Sequence, residues 1–191
     1  MSVNVFEFLL VIVSIVLGLG ITELLAGLVR ILRGELVAGK LHALWMFVIF
    51  QLQVQLAWGL WGLRSKVEWQ YPEFLLLLLA PVLLYLAAAV IFPSVGADES
   101  LDFHLMRRRR PLFLLLAGYV FVAGLFSWLL FDEDLTLTSA IIRLPAVAIL
   151  ATLAITARPR LHLLLGLVVL ALQLWFTYVF TFVVGATAAA A

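Results

Sequence analysis

Apolar residues occur in six long blocks, at 5–32, 41–63, 74–92, 112–131, 135–157 and 161–186, separated by short polar segments. A helix needs roughly 20 consecutive apolar residues to cross a bilayer, and every block is near that length. The pattern predicts an all-α polytopic membrane protein, a bundle of six transmembrane helices forming a single domain over 1–191. The fifth block is the weakest, because Arg143 and Pro145 lie inside it and Thr136, Thr138 and Ser139 make its start polar. There an irregular or re-entrant segment is the alternative. The first block has no basic segment ahead of it and is too long for the apolar part of a cleaved leader, so it reads as a retained helix.

Composition removes the soluble alternative. Hydrophobic residues make up 66% of the chain and the mean hydropathy is +1.22. Only 11 acidic and 12 basic residues are present, half the charged share of an ordinary soluble protein. These 191 residues leave no room for a catalytic or nucleotide-binding domain beside six spans. Cysteine is absent, which excludes disulfides, thiolate metal sites and cysteine nucleophiles. Asn4 lies in no glycosylation sequon. A net charge of +1 gives no reason to expect nucleic acid.

The distribution of that charge predicts orientation. With six crossings, Arg30, Arg33, Lys40, Arg107, Arg108, Arg109, Arg110, Arg158 and Arg160 share one side, against Arg64 and Lys66 on the other. If the fifth block did not cross, the split would be seven against five, with Arg143, Arg158 and Arg160 on the sparse side. The positive-inside rule prefers the first arrangement. Both termini are therefore expected outside and the basic loops in the cytoplasm, with a bacterial inner membrane as the expected location. Trp61, Trp69, Tyr71 and Trp128 are expected near the outer interface and Trp45 at an inner one, as an aromatic belt requires. Pro72 and Glu73 suit the start of a helix. Segment 93–111 is the one sizeable connection, acidic at Asp98, Glu99 and Asp102 and then basic, with space for a short interfacial turn through Leu101, Leu105 and Met106.

Candidate chemistry lies in the polar residues within the blocks, where an ionisable side chain costs several kcal/mol and is a functional candidate by default. Glu23 lies in the inner half of the first block, on a stripe with Gly20, Gly27 and Arg30, while Ser14, Gly18 and Thr22 repeat at small-xxx-small spacing on another face. Glu23 is either a titratable proton or cation site or a carboxylate paired with Arg30, Arg33 or Lys40. Arg143, always charged, is either paired with Glu7 or with Asp132, Glu133 and Asp134, or part of an anion site. Gln51 and Gln55 share a helical face with Trp58 and Gly62; Gln53 points toward the side of His42 and Leu60. His162, Gly166, Gln173 and Thr177 form one stripe of the last block. Such stripes line a narrow pore or act as interhelical glue. Arg107 to Arg110 form a block that sets topology and attracts anionic lipid headgroups at the cytoplasmic face.

His42, His104 and His162 are spaced 62 and 58 residues apart, at the edges of successive basic loops, which raises a threefold repeat of helical hairpins. They lie at helix edges rather than at the mid-membrane depth expected of haem ligands. No cofactor, metal or catalytic motif is expected. Transport is the leading expectation, because two intramembrane charges and two polar stripes exceed what packing needs, and two alternatives stand beside it. The leading expectation is a small channel or transporter for a proton, ion or small solute along Glu23, Gln51, Gln53, Gln55, Arg143, Gln173 and Thr177. The first alternative is a non-catalytic scaffold or subunit, as a homo-oligomer or with a membrane partner. The second is a lipid-modifying enzyme acting through the histidines and the arginine block.

Overall fold

The computed structural model describes residues 5–93, 100–130 and 137–181. Among the described residues there are seven α-helices and no strand: α1 (Val5–Leu32), α2 (Lys40–Gly59), α3 (Tyr71–Ile91), α4 (Leu101–Arg107), α5 (Arg109–Leu130), α6 (Leu137–Ile155) and α7 (Pro159–Phe176). A 3₁₀ turn, Leu60–Leu63, continues α2, and a π turn, Thr177–Thr181, continues α7. Five helical stretches, those of α1, α2 with its 3₁₀ turn, α3, α5 and α7, are long and apolar enough to cross a membrane, which fits a membrane-embedded protein. α6 contributes a shorter apolar stretch, Arg143–Ile155, about 20 Å at 1.5 Å per residue.

Local chemistry explains where the helices start and stop. α1 ends at Gly34, whose φ of 75° is open to glycine at no steric cost. Gly34 N–H then donates to Ile31 O and Glu35 N–H to Arg30 O, both at 3.0 Å, satisfying the last carbonyls of the helix. α3 starts earlier than the apolar block, because Gln70 and Glu73 cap each other reciprocally and Pro72 fits the first turn. Lys66 Nζ donates to Glu73 Oε1 at 2.9 Å and anchors the same turn. The short interfacial element is α4, whose buried residues are Leu101, His104 and Leu105.

α1, α3, α5 and α6 pack in that order, while α2 lies against α1 and α3 and carries α7, which also touches α6. A large core cluster holds Trp45, Ile49, Leu84, Ile91, Leu105 and Phe113. A smaller one at the opposite end holds Phe6, Val13, Leu63 and Phe126. Glycines set four close approaches among the described residues: Gly27 lies under the Phe92 ring, Gly20 under the Gln53 amide, Gly39 against the Asp102 carboxylate, and Gly166 against Leu44 and Trp45.

Hydrogen bonds draw the loops after α1 and α3 together at one end. Leu101 N–H donates to Val37 O at 3.1 Å, His42 N–H to Asp102 Oδ1 at 2.8 Å, and Arg30 Nη1 to Pro93 O at 3.3 Å. Phe113 and His162, with ring centroids 5.1 Å apart, bring the start of α7 to the same end. Arg30, Arg33, Lys40, Arg107 to Arg110, Arg158 and Arg160 therefore gather there, making it the basic end of the bundle.

Candidate functional site

The basic end is sealed by aromatic rings and three histidines. His42 and His162 are fully buried and His104 nearly so. Each ring donates from Nε2 to a main-chain carbonyl at the end of a helix: His42 to Ile91 O at 3.3 Å, His104 to Val90 O at 3.2 Å, and His162 to Thr156 O at 2.8 Å. Those carbonyls have no partner within their own helix, so the histidines satisfy helix ends that the protein has buried. His104 and His162 bond the end of the preceding long helix, whereas His42 crosses to α3, so the three sites are not copies of one hairpin. Phe92 meets His42 edge-on at 4.9 Å, and Phe113 meets Trp45 at 4.7 Å.

Trp45 departs from expectation. It is completely buried against Phe113 and Gly166 rather than lying in an aromatic belt. Only the close approach of α7 at Gly166 gives the indole its space. Trp61, Tyr71 and Trp128 are exposed, as belt residues are, whereas Trp69 is half-buried against the smaller core cluster and donates from Nε1 to Lys66 O at 3.2 Å.

Polar side chains farther along the bundle are divided among separate seams. Gln53 is fully buried at the α1–α2 seam, its amide lying over Gly20, and neither amide atom has a partner among the described residues. Gln51 and Gln55 are half-buried on another face of α2, with Trp58 and Gly62 exposed beyond them. The His162–Gly166–Gln173 stripe of α7 is buried, and Gly166 places it against α2. Gln173 also lacks a partner for either amide atom among the described residues, while Thr177 Oγ1 donates to Gln173 O at 2.9 Å. Arg143 belongs to a third seam, between α5 and α6: its Nη2 donates to Ser127 Oγ at 2.7 Å and its stem lies along Gly124. Glu7 is exposed near the start of α1; Asp132, Glu133 and Asp134, the other expected partners, lie outside the described residues.

Glu23 takes a different position. It is exposed on α1, about 13 Å along the helix from Leu32 at 1.5 Å per residue. The expected pairing with Arg30 or Arg33 is not made; those arginines lie 3.8 and 3.9 Å from Glu35. Glu35, not among the candidate residues, takes both arginines because the glycine turn at Gly34 swings it back onto α1. Among the described residues Glu23 has no ion pair or side-chain hydrogen bond. Ser14, Gly18 and Thr22 are exposed too, and no heavy atom would come within 4 Å of a side chain begun at Gly18. By contrast Gly20 and Gly27, the other glycines of α1, are buried against Gln53 and Phe92.

Arg107, Arg108 and Arg110 are exposed, whereas Arg109 is half-buried and donates from Nη1 to Met106 O at 2.9 Å. Asp102, absent from the candidate residues, is the carboxylate that caps α2 from α4. Among the described residues no group of three His, Asp or Glu is placed to hold a metal ion.

Neither a family model, a curated protein nor a solved structure matches the chain.

Proposed function

We propose that this chain is a non-catalytic membrane subunit or scaffold that assembles with a further transmembrane segment through the outward face of α1. The observation that carries the reading is the position of Glu23. A carboxyl group facing lipid at that depth has nothing with which to hydrogen-bond. A neighbouring helix would supply a partner, and Ser14, Gly18 and Thr22, exposed on another side of the same helix, offer a second seam for the close backbone approach on which membrane helices pack. Dispersal of the other polar groups supports the same reading. Gln53, Gln173 and Arg143 occupy three different seams, as interhelical glue does. The histidines are committed to main-chain carbonyls, which removes the chief support for a lipid-modifying enzyme.

Assembly and stability separate in the test. Gly18→Leu and Glu23→Ala are expected to leave the monomer folded and to dissociate the complex extracted in mild detergent, seen as a loss of mass by light scattering. Unchanged mass in both variants would remove the reading.

Transport remains a second reading because Gln53 and Gln173 are buried with unpaired amides, which a hydrated path would satisfy. A cysteine at position 53 should then react with an impermeant thiol reagent; protection, with normal reaction at position 66, speaks for glue.

We place the basic end in the cytoplasm and both termini outside, with six crossings of a bacterial inner membrane. The gathering of Arg30, Arg33, Lys40, Arg107 to Arg110, Arg158 and Arg160 at one end supports this through the positive-inside rule. Single cysteines at positions 35 and 160 should label from one side and a cysteine at 68 from the other.

A further inference from the structure

The turn between α6 and α7 forms an open groove of about 650 Å³ lined by Ala157, Arg158, Pro159, Arg160, Leu161 and Leu164. Its two parts differ chemically. Arg158 and Arg160 are exposed at one end. Leu161 and Leu164 continue the groove along the first turns of α7, and Leu164 is 60% exposed where the helix is otherwise apolar.

These arginines differ from Arg30, Arg33 and Arg109 at the same end, as Arg108 and Arg110 also do, but only Arg158 and Arg160 line the groove. Arg30 and Arg33 are matched by Glu35. Arg109 Nη1 is bonded to Met106 O. Among the described residues Arg158 and Arg160 have neither an ion pair nor a side-chain hydrogen bond. A third cation is near: Arg109 lies one turn before Phe113, whose ring is 5.1 Å from that of His162. Arg109 Nε is buried with no partner among the described residues.

We propose that this groove binds one anionic phospholipid, its phosphate held by Arg158 and Arg160 and an acyl chain laid along Leu161 and Leu164. The guanidinium fork matches phosphate geometry, and its attraction is stronger at a membrane edge than in bulk water. A soluble phosphate would use the arginines but gain nothing from the leucines, so the amphipathic lining selects the lipid. The proposal does not depend on the assembly reading, since the groove lies on α7 and the assembly face on α1.

The test reconstitutes the full chain in nanodiscs of phosphatidylcholine containing a minor fraction of phosphatidylglycerol, then counts retained lipids by native mass spectrometry after extraction. Wild-type protein is expected to retain phosphatidylglycerol in preference to phosphatidylcholine. Arg158→Gln with Arg160→Gln should weaken that retention about 30-fold, at roughly a factor of five per arginine. Arg158→Lys with Arg160→Lys keeps the charge but loses the bidentate fork, and should retain an amount between wild type and the glutamine variant. Arg33→Gln, a cation already matched by Glu35, should keep nearly all. Equal retention of the two lipids by wild-type protein would overturn the proposal, as would equal phosphatidylglycerol retention by the glutamine variant. Complete displacement by excess inorganic phosphate would assign the arginines to a free anion and overturn the lipid site.

Discussion

At Gly27 the backbone of α1 lies directly under the Phe92 ring, and a Cβ there would overlap the ring. Gly27→Val is therefore expected to destabilise the fold by about 1–3 kcal/mol, the usual cost of overpacking. Gly18→Val, with nothing near it, should leave the unfolding midpoint of the isolated chain almost unchanged in the same detergent titration. At the basic end His162→Ala would strand the Thr156 carbonyl and remove a neighbour of Phe113; a loss of about 1–3 kcal/mol in thermal unfolding is expected. Some of this residue-scale structure was legible. Helical spacing alone separated Gln53, on the side of His42 and Leu60, from Gln51 and Gln55, and burial divides them in the same way. Trp45 was not legible, because its burial depends on a glycine 121 positions away in the chain. Nor was the partner of Arg30, because local apolarity says nothing of how a turn at Gly34 returns Glu35.

Elements were more legible than contacts. α1 spans Val5–Leu32, the limits of the first apolar block. α3 and α5 start before their apolar blocks because capping groups and arginines extend a helix beyond its apolar portion. The weak fifth block does hold a helix over Leu137–Ile155, with Pro145 inside it; Leu135 and Thr136, at the start of that block, lie outside the described residues, as does the tail 182–191. α6 leans on α5, and Arg143 is one of its fastenings. Ser127→Ala removes a charge-assisted hydrogen bond at that seam, worth up to about 3 kcal/mol. Hydrogen exchange should then rise in α6 while α1 and α3 keep their protection. A uniform rise across the bundle would instead mean that the seam is part of one cooperative core.

For the whole molecule, composition and charge asymmetry made a helical membrane protein legible, but not which polar residues share a space. Glu23, the glutamines and Arg143 resemble one route when written along the chain. Folding distributes Gln53, Gln173 and Arg143 over the α1–α2, α2–α7 and α5–α6 seams, keeps Gln51 and Gln55 on another face of α2, and leaves Glu23 facing away from the bundle. Periodicity assigns residues to faces of a helix, but the neighbour of each face is decided by packing between distant segments. The proposed assembly requires that this outward face of α1 meets protein rather than lipid. Its most direct test is a photo-crosslinking amino acid at position 19, beside Gly18, activated in native membranes. One discrete protein adduct is expected, and it should disappear with Gly18→Leu and with Glu23→Ala. Adducts with lipid alone, or a protein adduct indifferent to both substitutions, would contradict it.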